Sequence, residues 1–228
     1  YKEAMEQDMP DDVRQQEIQG RFVEVGSGVF SRDMLSYIHP DDAESTELKN
    51  IIAVDPATTV DAQKAEANDT DYWAMVVVAV HPRHGEIYVM DCHRRRGMDI
   101  MEGVDWVSRV ASGTAGSVVV EANQAQSWLV RELNKAGIGT QPIQSSRNKE
   151  NRLIDLSVPL ANDTIQFIDW DATDNNRQNP YDELISEMLA FPNGSHDDVL
   201  DALWLAVDNS PVALSNGILG FDPFSDDS

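Results

Sequence analysis

The sequence predicts an α/β fold, a central mixed β-sheet flanked by α-helices, and three observations carry that prediction. Short apolar runs bounded by Gly, Pro and Asp read as buried strands over residues 50–55, 73–80, 86–92 and 117–121. Segments with apolar residues at helical spacing are interleaved with the later runs, the pattern of helices packed on a sheet. Carboxylates also stand at the ends of three of these elements, where strands stop or a helix starts.

Taken in order, residues 1–49 are polar and mixed and read as a lead-in, with an acidic start followed by GRFVEVGSGVFSRDML, whose glycines separate short apolar pairs. The core begins at 50–55, and the Asp55–Pro56 step must end that strand, because proline continues neither ladder nor helix. WAMVVVAV at 73–80 and EIYVMDC at 86–92 flank His-Pro-Arg-His-Gly and predict a β-hairpin. Ile100, Val104, Val107 and Val110 place a helix over 99–111, closed by Gly113 and Gly116 ahead of SVVVE at 117–121. Trp128, Leu129, Leu133 and Ala136 mark a second helix stopped by Gly137, and 139–143 reads as an edge strand. A helix over 151–160 despite Pro159, a strand at 164–168, a polar loop at 170–179 and a helix at 181–189 follow. The last helix, 198–207, carries Val199, Leu200, Leu203, Trp204 and Val207 on one face, with His196 and Asp197 expected to cap it. The domain proper is expected to span 50–209, and the acidic segment 210–228 to be disordered.

Composition bounds the function. With 228 residues, 41% hydrophobic, the chain is long enough to bury one sizeable core. Its single cysteine, Cys92, excludes an internal disulfide framework and a Cys-cluster zinc site and fits a reducing compartment. No apolar run approaches the roughly 20 residues a membrane span needs, and residues 1–12 have no signal-peptide pattern, so a soluble intracellular protein with no membrane partner is expected. The net charge of −23 repels nucleic acid as a whole, so any such contact must use local basic clusters or bound cations. Asp outnumbers Glu and Lys is scarce, a composition that suggests a halophilic setting.

Asp55 ends the first strand, Glu121 ends the strand after the first helix, and Asp197 and Asp198 open the last helix. Should the first and fourth strands be neighbours, Asp55 and Glu121 meet at the C-terminal edge of the sheet, where ligands of open α/β sheets gather. Carboxylates crowded together repel unless hard cations neutralise them, and Mg²⁺ or Mn²⁺ takes such oxygen ligands. A pair of such ions about 3.5–4 Å apart can drive phosphodiester hydrolysis. Asp201, one turn after Asp198, faces the same side. Arg94, Arg95 and Arg96 just beyond the hairpin, and Arg147, Lys149 and Arg152 beyond the edge strand, are the candidate phosphate contacts, with the alternative that they pair with neighbouring acids. His196 is a candidate cap, phosphate contact or proton-transfer group.

IIAVDPA at 51–57, TDYWAMVVV at 70–78, VVVEAN at 118–123 and HDDVLDALWLA at 196–206 together resemble the nuclease domain of large terminase subunits of tailed phages and archaeal tailed viruses, and GRFVEVGSGVFSRDML resembles the segment that joins the packaging ATPase to it. The likeness covers roughly residues 18–208. It implies an RNase H-like (RuvC-like) fold, endonucleolytic cutting of concatemeric viral double-stranded DNA with low sequence specificity, and two Mg²⁺ or Mn²⁺ ions held by Asp55, Glu121 and Asp198. By the same likeness Asp71 matches an acidic position that approaches the metals, while the polar stretch 58–70 is longer than the family's loop. No GxxxxGK[ST] phosphate loop is present, so the ATPase domain is expected outside this segment. The implied partners are viral DNA, that ATPase domain, a portal and a small terminase subunit, and the implied location is the host cytoplasm, outside the mature virion. A Holliday-junction resolvase or transposase catalytic domain would show a similar acidic triad but no reason for the lead-in. A non-catalytic scaffold docking to portal or capsid is the rival from another class.

Overall fold

Ile51–Val54 is too short for a helix and too apolar for a surface, and in the computed structural model it forms the centre of β2 (Lys49–Asp55), buried on both faces. The structure describes residues 28–43, 47–56, 72–121, 127–144, 148–173 and 177–211. β3 (Tyr72–Val80) pairs antiparallel with β2 along its length and turns through His81 to Glu86 into β4 (Ile87–Arg96). α1 (Ile100–Thr114) then crosses to β5 (Ser117–Glu121), which pairs parallel with β2 on its other side. α2 (Ser127–Lys135) leads to β6 (Thr140–Ile143), a short margin strand that tolerates Pro142. α3 (Lys149–Asp155), α4 (Ser157–Ala161), β7 (Ile165–Ile168), α5 (Asp182–Ala190) and α6 (Asp198–Asp208) complete the described chain. With a two-residue β1 (Tyr37–Ile38), the strands make one seven-stranded mixed sheet in the order β1-β7-β4-β3-β2-β5-β6.

Alternation divides the core. Ile52, Val54, Trp73, Met75, Val77, Val118 and Val120 face α1 and α2, while Ile51, Ala53, Ala74, Val76, Val78 and Val119 face α5, α6 and the α3–α4 pair. Every residue of α6 from Val199 to Val207 is buried, because this helix lies across the middle of the sheet. α1 starts on a capping box in which the Asp99 carboxylate accepts the Glu102 N–H and Glu102 accepts the Asp99 N–H, both at 2.9 Å. Two glycines are required by close approach: a Cβ on Gly103 would lie 2.2 Å from the Trp73 ring, and one on Gly116 would lie 2.9 Å from the Asn50 carbonyl.

The α/β sheet architecture agrees with the sequence reading, and several elements differ from it. Part of the expected lead-in is built into the domain: Phe30 is buried against Phe191 and Tyr37–Ile38 pairs with β7. Two residues of strand are too few to leave an alternating pattern. Arg94, Arg95 and Arg96 lie inside β4, not beyond it, because β3 continues to pair with them as far as Tyr72. The helix expected over 151–160 is two helices that break at Leu156, since Pro159 has no N–H to continue the ladder. Asp71, Arg147, the loop 58–70, most of the acidic tail and residues 1–27 lie outside the described residues. Among the described residues no helix is long and apolar enough to cross a membrane.

Candidate active site

Asp55 shares the face of Ile51 and Ala53, and Glu121 shares that of Val119, so both carboxylates point to the α6 side of the sheet. The β2–β5 register sets Val54 against Val120, which makes Asp55 and Glu121 the next neighbours on strands about 4.8 Å apart. α6 begins over this same edge, with Asp198 as its first residue and Asp201 one turn later. The structure therefore brings together four of the acidic residues singled out in the sequence.

Their electrostatics reflect the crowding. Burial, and then the charges of Glu121, Asp201 and Asp198, hold the Asp55 carboxyl well above the ordinary carboxylate range. Burial raises Asp201 to about 6 even though Lys149 and Arg152 pull it down, and it raises Asp198 against the opposing pull of His196. Two cations from α3 enter the cluster. The buried Arg152 reaches Glu121 at 3.5 Å and Asp201 at 3.4 Å, with its guanidinium 4.6 Å from the Trp204 ring centroid. Lys149 contacts Asp197 at 2.7 Å and Asp201 at 2.5 Å; burial disfavours its charge, but the two aspartates outweigh that and raise its pKa. With these cations interposed, the acidic oxygens do not close to a set of three within 4.8 Å among the described residues.

The donors nonetheless suit hard divalent ions. They are all carboxylate oxygens, and the Oδ2 atom of Asp198 is buried without a hydrogen-bond partner, with His196 Nδ1 3.7 Å away. The start of α6 is held by a residue that the sequence reading did not assign. Asp197 makes no capping bond through its side chain, which is turned to Lys149. Instead Glu187 of α5 accepts the N–H groups of Val199 and Leu200 at 2.8 and 3.0 Å and an Arg94 N–H at 3.0 Å. Burial raises the Glu187 pKa to about 7, against the pull of those two N–H groups and Arg94.

A family model described as the terminase RNaseH-like domain matches residues 52–210. The chain belongs to this family. Similar solved structures include the large terminase nuclease of thermophilic phage G20c with bound cobalt, 16% identical, which covers 82% of this chain and 99% of that one at a TM-score of 0.54. The Thermus phage P74-26 large terminase nuclease domain is 16% identical and covers 79% and 94% at a TM-score of 0.52. The large terminase of thermophilic bacteriophage D6E in complex with ADP is 12% identical and covers 88% of this chain and 52% of that one at a TM-score of 0.59. Further structures of the G20c nuclease carry zinc and magnesium. At these identities the likeness is one of fold, RNase H-like. Comparison with curated protein sequences finds no match.

In this terminase nuclease domain the basic residues divide into separate roles. Arg152 and Arg94 are spent inside the protein, Arg152 on Glu121 and Asp201 and Arg94 on Glu187, for the physical reason that a buried carboxylate needs a nearby donor. Arg95 is exposed on the opposite face, stacked on Trp106 at 4.8 Å. Arg94 and Arg96 pack against the Tyr72 ring at 4.2 and 4.4 Å, and His196 meets its edge at 4.9 Å. Tyr72 and Glu187 were both missed in the sequence. Glu187 carried a readable signal, since it lies at i+3 from Leu184 and next to Met188 on the apolar face of α5.

Proposed function

We propose that this terminase nuclease domain is a divalent-metal-dependent endonuclease that cuts concatemeric double-stranded viral DNA during genome packaging, with low sequence specificity. The observation that carries this reading is the gathering of Asp55, Glu121, Asp198 and Asp201, from two strands and one helix, at one edge of the sheet. Mg²⁺ or Mn²⁺ are the proposed ions, and the cobalt, zinc and magnesium found in the G20c nuclease support a divalent site. Bound there, such ions would supply an activated water and neutralise the leaving oxygen.

The proposed ligands are Asp55, Glu121 and Asp198, with the unsatisfied Oδ2 of Asp198 the readiest oxygen. Asp201 is the next candidate once Lys149 or Arg152 gives way, whereas Asp197 orients Lys149. Glu187 fixes the first turn of α6 and so aims Asp198. His196, beside Asp198, is placed to take or give a proton near the substrate phosphate. Arg95, Arg96 and Lys149, with Arg147, are the proposed phosphate contacts, offsetting locally a chain of net charge −23. The packaging ATPase domain, portal and small subunit are the proposed partners, in the host cytoplasm, and tolerance of high salt is proposed from the acidic surface.

Nicking of supercoiled plasmid with Mn²⁺, compared between the wild type and Asp55→Ala, tests the site. Loss of at least about a thousandfold in rate, roughly 4 kcal/mol, is expected; equal nicking by both proteins discards it.

A further inference from the structure

The turn joining β3 to β4 carries metal-binding side chains that the acidic site does not use. His81, His84 and Glu86 each offer one ligand atom, all within 4.8 Å of one another, and they are the one such set among the described residues. Their backbone is fixed. The His81 N–H donates to the Glu86 carbonyl and the Gly85 N–H to the His81 carbonyl, both at 2.9 Å, and Gly85 sits at φ 88°, a conformation that favours glycine. The two imidazoles stack with centroids 4.2 Å apart and planes 21° from parallel. His84 Nδ1 faces Glu86 Oε2 at 3.8 Å, an oxygen that also accepts from the Tyr88 hydroxyl at 3.4 Å. The His84 N–H reaches His81 Nδ1 at 3.3 Å, a long bond that a cation can replace.

We propose that this turn binds one borderline divalent cation of the zinc, cobalt or nickel class, through one ring nitrogen each of His81 and His84 and one oxygen of Glu86, with water completing the shell. Two imidazoles and a carboxylate are a known donor set for zinc, and imidazole selects such ions over magnesium. Bonds of about 2.0–2.2 Å in a tetrahedral site place ligand atoms roughly 3.4 Å apart. His84 is exposed and His81 and Glu86 half-buried, so their side chains can close that distance while the hydrogen-bonded backbone stays in place. Asp55 pairs with Ala74 of β3, seven residues before His81, which separates the two sites by about 24 Å. The ion would clamp the two ends of the β3–β4 connection and leave the carboxylate cluster untouched.

Imidazole ¹⁵N–¹H spectra of the full chain, titrated with zinc, test this, because the protein has only 5 histidines to assign. In Asp55→Ala, which disables the acidic site, one equivalent of zinc is expected to shift the ring nitrogens of His81 and His84 and to spare His39 and His93. That binding should weaken about tenfold or more when His84→Ala, a surface change that leaves the fold intact, is added to Asp55→Ala. In the Asp55→Ala background, zinc that binds as tightly after His84→Ala is added, or that shifts His39 or His93 instead, overturns the assignment. So does magnesium that moves the His81 and His84 signals as zinc does.

Discussion

On the face covered by α1 and α2, Trp73, Trp106, Val107, Leu129 and Leu133 close over the sheet, and no charged side chain described there is buried. On the face covered by α3, α5 and α6, Arg152, Asp155, Glu187 and Asp201 are buried among equally apolar neighbours. The same period-two strands feed both faces, so the difference lies in what the helices bring. The first face contributes stability. The second gives part of it up, since a buried carboxylate such as Glu187, raised from 4.5 to about 7, loses on the order of 3 kcal/mol at neutral pH relative to a solvated one. Sites are built where a fold tolerates such a cost, and the opposite face is what makes it tolerable.

The largest effect should come from the inert face. Gly103→Val drives a side chain into the Trp73 ring and should lower stability by about 3 kcal/mol in urea unfolding, with cleavage per folded molecule unchanged. An unaltered midpoint would mean that this face is loosely packed and the contrast is false.

Next comes pH. Glu187 and Asp201 have native pKa values raised to about 7 and about 6, so the native state binds more protons than the unfolded state between the ordinary carboxylate range and pH 7. Their contribution to stability is therefore lost as pH rises through that window. The metal-free protein should gain about 2 kcal/mol from pH 7.5 to 5.5, while Mn²⁺ should raise the Tm more at pH 7.5, where the carboxylates are ionised. A Tm that falls steadily on acidification would show that the site is not under charge stress.

Asp55→Asn removes one of the crowded charges without changing shape. Metal-free stability at pH 7.5 should rise by about 1 kcal/mol and the Mn²⁺-induced rise in Tm should vanish. A destabilised variant would mean that the Asp55 charge is held by partners. The smallest effect is expected of Lys149→Ala, below about 1 kcal/mol at pH 7.5 because Lys149 is half exposed, and smaller still at pH 5.5 as Asp201 takes up its proton and leaves Asp197 as the remaining partner.

Much of this arrangement was legible in the sequence. The Asp-Pro stop at Asp55 and the apolar run before Glu121 put both carboxylates at strand ends, and strand alternation then fixed their common face. What escaped notice depends on contacts between distant segments. Nothing local marks Tyr37–Ile38 as a strand, because its partner lies about 130 residues further on, at Phe167–Ile168. Asp197 has the right residue type and position for a cap, yet the helix takes its acceptor from α5, since Lys149 draws Asp197 away. Arg152 resembles a surface cation in sequence and is buried only because Glu121 and Asp201 converge on it.

The sheet also ends well. One margin is the two-residue β1 and the other is β6, four residues long with Pro142 offering no donor. Neither presents a row of free amide groups long enough to template a foreign strand. At high concentration, neighbouring molecules thus find no long strand margin at β1 or β6 on which to zip edge to edge into aggregates.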